Sequence, residues 1–137
     1  IYHVERLGIE YFNHFFMRPN FLWINLQLLV MVLVDRGEIE DFVEEASELL
    51  GDRLDEVILF GSYARGDHVP GSDVDLLFLV SEGREDDLSK LLDLSGDYFL
   101  EKDVVLSPKI VEKEVFEKRT MESAGFYREV DEQGVRI

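Results

Sequence analysis

Apolar positions in residues 37–50, GEIEDFVEEASELL, recur at helical spacing. Ile39, Phe42, Val43, Ala46, Leu49 and Leu50 share one side, and Gly51 ends the pattern. The opposite face is strongly acidic, a solvated surface or a docking face for a basic partner. The next segment, DEVILF, is apolar on both faces from Val57 to Phe60, which predicts a central strand. Glycines and a proline in GSYARGDHVPGS then mark a turn and loop, and DVDLLFLV predicts a second buried strand. Residues 84–93 predict a helix with Leu88, Leu91 and Leu92 on one side, and YFLEKDVVLS (98–107) reads as a third strand. Ser107 and Pro108 then suit the cap and first position of a helix carrying Ile110, Val111, Val115 and Phe116 inward. A last short helix is expected from Ala124 to near Gly134. The order helix, strand, strand, helix, strand, helix, helix predicts an α/β or α+β domain, a small mixed sheet packed with helices.

Ahead of this pattern, residues 21–34 (FLWINLQLLVMVLV) form an apolar run broken only by Asn25 and Gln27. The run is shorter than the roughly 20 residues a membrane helix needs. It also lacks the basic start and small-residue cleavage site of a signal peptide. We therefore expect a buried or partner-facing segment and no membrane association. Met17 and Met31 could each begin a shorter protein, so residues 1–36 are read as an apolar extension and 37–137 as the functional domain.

With 137 residues, 46% hydrophobic and 32% charged, the chain has the composition of one globular domain. It has no cysteine, which removes disulfides, thiolate nucleophiles and Cys-ligated zinc and fits a reducing cytoplasm. The formal charge of −16 disfavours direct polynucleotide binding, which depends on Lys and Arg neutralising phosphate. It suits a basic protein partner, or a site that uses cations as intermediaries.

The chemistry concentrates in LFGSYARGDHVPGSDVDLLFLV, residues 59–80. Asp73 and Asp75 are two apart, so on a strand they project to one face with Cα atoms about 6.5–7 Å apart. Their oxygens can converge on one metal, or on two about 3.5–4 Å apart, and hard Mg²⁺ or Mn²⁺ favours such ligands. An isolated pair of this kind can equally cap a turn or meet an arginine. Upstream, Gly61 and Ser62 directly follow a predicted strand, and a glycine there lets backbone N–H groups approach a phosphate closely. Neither a Walker A loop nor an EF-hand loop is present.

Gly61-Ser62, ten intervening residues, then Asp73-Val74-Asp75 and an apolar strand resemble the nucleotidyltransferase superfamily that includes DNA polymerase beta and the kanamycin nucleotidyltransferases. The fuller string is similar to the minimal nucleotidyltransferases, small proteins often paired with a helical HEPN toxin. The similarity extends over about residues 38–137, including GFYREVDEQGVRI at the end. It implies the nucleotidyltransferase fold and Mg²⁺-dependent transfer of a nucleoside monophosphate, AMP foremost, from a triphosphate to a hydroxyl. The implied acceptor is a tyrosine of the HEPN partner. By the same resemblance, Gly61 and Ser62 hold the β- and γ-phosphates, with Arg65 a further phosphate contact. Asp73, Asp75 and a third carboxylate, Asp103, then hold two Mg²⁺ ions, and Asp103 helps deprotonate the acceptor.

Other polar residues carry less. Asp103 can also be a solvated strand end, and Arg65 can simply pair with an acid. Lys102 is open between a phosphate contact and an ion pair. His68 is expected at the surface and Tyr63 packed on the turn. His3 and His14 have no metal-ligand spacing, and Arg6 lies too far from His14 for the helical toxin's own motif. Two rival functions remain: a docking module without catalysis, and a small-molecule nucleotidyltransferase completed by a homodimer through residues 21–34.

Overall fold

The computed structural model describes residues 37–122 and 125–137. The apolar run 21–34, His3, Arg6, His14, Met17, Met31 and the expected helix start at Ala124 lie outside the described residues.

Helix α1 covers 37–50 and a short 3₁₀ turn covers Gly51–Arg53. There follow β1 (Leu54–Phe60), the one-turn helix α2 (Ser62–Arg65), β2 (Val74–Val80) and α3 (Asp87–Lys102). The chain closes with β3 (Leu106–Glu112), α4 (Lys113–Met121), α5 (Gly125–Gln133) and the two-residue β4 (Val135–Arg136). The four strands form one mixed sheet in the order β3-β2-β1-β4. β1 is antiparallel to β2 and to β4, and β2 is parallel to β3.

Both faces of the sheet are covered, which explains why β1 and β2 read as apolar runs rather than alternating ones. On one face Leu59, Leu76, Phe78 and Val80 meet Ile39, Phe42 and Ala46 of α1 and Leu91 and Tyr98 of α3. Phe42 packs edge-to-face on both Phe78 and Tyr98, with ring centroids 6.2 and 5.4 Å apart. The Tyr98 hydroxyl donates to Glu45 Oε2 at 2.9 Å, so the two helices are also tied by a polar bond. On the other face Ile58, Leu77 and Leu79 meet Phe116 of α4 and Val130 of α5.

The third strand lies later than its sequence pattern implied. Residues 98–102 continue α3, because Leu91, Leu94 and Tyr98 share its core side across the Ser95-Gly96 break. Leu88 and Leu92 are 41% and 50% exposed, so only Leu91 of the expected leucine face is buried. Ser107 and Pro108 lie within β3 instead of starting a helix. An edge strand tolerates proline, since half of its N–H groups face no partner strand. Val115 accordingly turns outward, while Phe116 alone anchors α4.

One ion pair locks the start of α3 to the 3₁₀ turn. Arg53 donates to both carboxylate oxygens of Asp87 at 2.7 and 2.8 Å, and the Arg84 N–H donates to the same group at 2.7 Å. Asp87 is only 2% exposed, and the Arg53 bond holds its pKa down at about 2. A carboxylate lowered in this way stabilises the fold above its ordinary value and ceases to do so as pH falls toward 2. Asp87→Ala is expected to lower the melting temperature at pH 7 by on the order of 10 °C. The deficit should shrink in melts taken between pH 4 and 2.

Candidate active site

The site forms where β1 ends beside the start of β2. Phe60, the last residue of β1, is the register partner of Asp75. Gly61 follows with φ 76° and ψ −151°, a conformation that side chains strongly disfavour. Its backbone lies against the Asp75 carboxylate, so a Cβ at Gly61 would collide with Asp75 Oδ2. This close approach is the physical reason for glycine here. Ser62 then opens α2, whose start has no side-chain cap, and Gly66 ends it at φ 78°.

Asp75 shares strand parity with Leu77 and Leu79, so it opens onto the sheet face covered by α4 and α5. Asp73 directly precedes β2 and is exposed. Burial raises the Asp75 pKa, the negative charge of Asp73 raises it further, and Lys109 and Arg65 oppose the shift. A half-buried carboxylate with a second negative charge near it resists ionisation more than a solvated one does.

A cavity of about 340 Å³ opens at this point. Gly61, Ser62, Arg65 and Asp75 line one part of it, all of them anticipated from the motif. The remaining wall comes from Phe60 and from α5, which contributes Phe126, Glu129, Val130 and Gln133. Nothing in the local motif pointed to α5, because it lies some fifty residues downstream in the chain. Lys109 was also missed; it lies on β3 two positions beyond Ser107, the register partner of Asp75.

The third expected carboxylate is placed differently. Asp103 is the left-handed C-cap of α3, with φ 57°, and lies ahead of β3 rather than on it. Among the described residues no group of three His, Cys, Asp or Glu side chains is assembled to hold a metal ion. Lys102 is occupied elsewhere, 3.5 Å from Asp41 Oδ2 and over the Tyr98 ring. Arg65 makes an exposed ion pair with Asp67 at 3.3 Å and still faces the cavity.

His68 departs from its expected surface position. It is 2% exposed and its ring stacks on buried Tyr63, with centroids 4.0 Å apart and planes 9° from parallel. The loop folds back over α2, so this histidine serves packing. No helix among the described residues is long and apolar enough to cross a membrane.

Known proteins resemble this chain in sequence. Residues 39–132 match the model of the nucleotidyltransferase domain family. Two proteins of Methanocaldococcus jannaschii, each bearing the name "Putative protein adenylyltransferase", align over most of their length. MJ0141 is 39% identical over 100 residues, covering 72% of this chain and 94% of that protein. MJ0604 is 34% identical over 96 residues, covering 70% and 90%. A crystal structure of a toxin–antitoxin with AMP-PNP aligns at 20% identity and a TM-score of 0.47, covering 71% of this chain and 70% of that one. The family match, these relatives and the glycine turn set against Asp75 lead to one conclusion: the chain belongs to the nucleotidyltransferase domain family and is a nucleotidyltransferase.

Proposed function

We propose that the chain is a protein adenylyltransferase, moving AMP from ATP to a tyrosine hydroxyl of a HEPN-type partner and silencing that partner as an antitoxin. One observation carries the reading. The Gly61 backbone and the Asp75 carboxylate are in contact and share a cavity with Ser62 and Arg65. The turn attracts a phosphate that the adjacent carboxylate would repel, and a cation between them reconciles the two. The names of the M. jannaschii relatives support adenylyl transfer to protein, and a charge of −16 argues against a polynucleotide acceptor.

The donors fit Mg²⁺, with Mn²⁺ as the substitute. Asp73 and Asp75 would hold it, and one or two carboxylates plus substrate phosphates are the usual donor set for this ion. When bound, it would neutralise phosphate charge and the charge developing on pyrophosphate. The grouped donors suffice for one ion. Gly61 and Ser62 position the phosphates and Arg65 supplies a counter-charge. Arg65 can be recruited because its exposed pair with Asp67 contributes little. The acceptor oxygen attacks the α-phosphorus in line, the bond to the β-phosphate oxygen breaks, and pyrophosphate leaves. The hydroxyl proton leaves to solvent, since both carboxylates of the pair are committed to the cation.

This assignment gives Asp103 no direct part. Asp103→Ala should retain transfer within about tenfold, whereas Asp73→Ala should lose at least about 100-fold. The test incubates the chain with ATP, Mg²⁺ and a HEPN-type partner and follows the partner's intact mass. The account expects one added AMP on tyrosine. Tight binding of the partner without any mass gain, together with protection of cells by the Asp73→Ala, Asp75→Ala double variant, would instead establish the docking module.

A further inference from the structure

The phosphate-facing residues occupy only part of the cavity. Its other wall is the face of α5 that carries Phe126, Glu129 and Gln133, at spacing i, i+3 and i+7. Phe126 is 43% exposed although its neighbour Val130 is buried in the core. Its ring is held edge-to-face by Phe60, with centroids 5.6 Å apart and planes at 83°, and by Tyr127 at 5.4 Å and 80°. Phe60 immediately precedes Gly61, so the aromatic pair and the phosphate turn are joined through one peptide bond. The fixed ring therefore presents free surface to the space that the phosphates would enter.

A volume of about 340 Å³ falls in the usual range for small-molecule sites, roughly 300–1,000 Å³. Such sites combine apolar surface with a few polar groups that fix orientation. Phe126 offers the surface, and Glu129 and Gln133 offer hydrogen-bonding groups beside it. We propose that Phe126 is the platform on which the nucleobase of the triphosphate stacks, with Glu129 and Gln133 flanking the base edge. The proposal rests on the functional reading above and adds to it the residues that distinguish a nucleotide from a bare polyphosphate.

Calorimetric titration with two probes in the presence of Mg²⁺, ATP and inorganic tripolyphosphate, tests it. A stacked base is lost with its aromatic partner, so Phe126→Ala and Phe126→Leu should each weaken ATP roughly ten- to hundredfold. Tripolyphosphate affinity should stay within about twofold, because the phosphate contacts are untouched. Phe126→Trp should preserve ATP affinity. Unchanged ATP affinity in both truncated variants overturns the proposal, and so does a parallel loss for both probes, which would mark Phe126 as a packing residue only. If the unmodified chain binds both probes equally, the phosphate site stands and the base platform falls. If it binds neither, the functional reading falls and this proposal with it.

Discussion

Asp75→Asn should abolish adenylyl transfer, by on the order of 10³-fold, while raising the melting temperature of the chain at pH 7. The two effects have one origin. Burial, and then Asp73, push the Asp75 carboxyl above its ordinary value near 3.8. The folded chain therefore holds that proton more tightly than the unfolded chain does. Stability contributed by the group is present at low pH and declines as pH rises through the raised value. At neutral pH the charged carboxylate opposes folding, and asparagine removes the charge while keeping the shape. The gain in melting temperature should close below about pH 4, where both states are protonated. Mg²⁺ should stabilise the unmodified chain and leave Asp75→Asn unmoved, since a ligand of the native state stabilises only where it binds. A variant as stable as the original at every pH would show that Asp75 is not held at a cost, contrary to the geometry.

Gly61→Ala should be the most damaging single methyl group in the site. The backbone at φ 76° and ψ −151° is nearly glycine-only, and forcing alanine into it costs about 1–3 kcal/mol. The added carbon also strikes Asp75 Oδ2, so the carboxylate must turn away or the turn must open. Either response misplaces phosphates and cation relative to each other. A displacement near 1 Å can remove about 100-fold of rate, so transfer should fall at least that far. The loss should exceed that of Ser62→Ala, which deletes one hydroxyl and leaves the backbone alone. Thermal melts and labelled-ATP transfer, run on both variants, check the order.

The elements around the motif were legible because each is governed by local rules. β1 and β2 are apolar on both faces since helices cover both, and Gly61 marks the strand end because only glycine fits against Asp75. The stretch from 95 to 112 was not. The helix was expected to end at 93, yet Ser95 donates its hydroxyl to the Leu106 carbonyl and Tyr98 fills the core, so α3 runs through. That tertiary override moved the third strand later and left Asp103 at a helix end, where a left-handed residue suits Asp. His68 was misplaced for a similar reason, since stacking on Tyr63 is a contact between loop and helix that spacing does not reveal. The α5 wall was invisible as a site for want of any motif: Phe126 gains meaning only from the Phe60 ring beneath it.

The central claim is transfer of the α-phosphate at the Gly61–Asp75 cavity, and one comparison tests it most directly. The chain, Mg²⁺ and the HEPN-type partner are incubated in parallel with ATP labelled at the α-phosphate and with ATP labelled at the γ-phosphate. The account predicts that only the α-label becomes attached to protein, with the γ-label released as pyrophosphate, and that Asp75→Asn loses the α-label. Attachment of the γ-label, or α-labelling that survives Asp75→Asn, would contradict it.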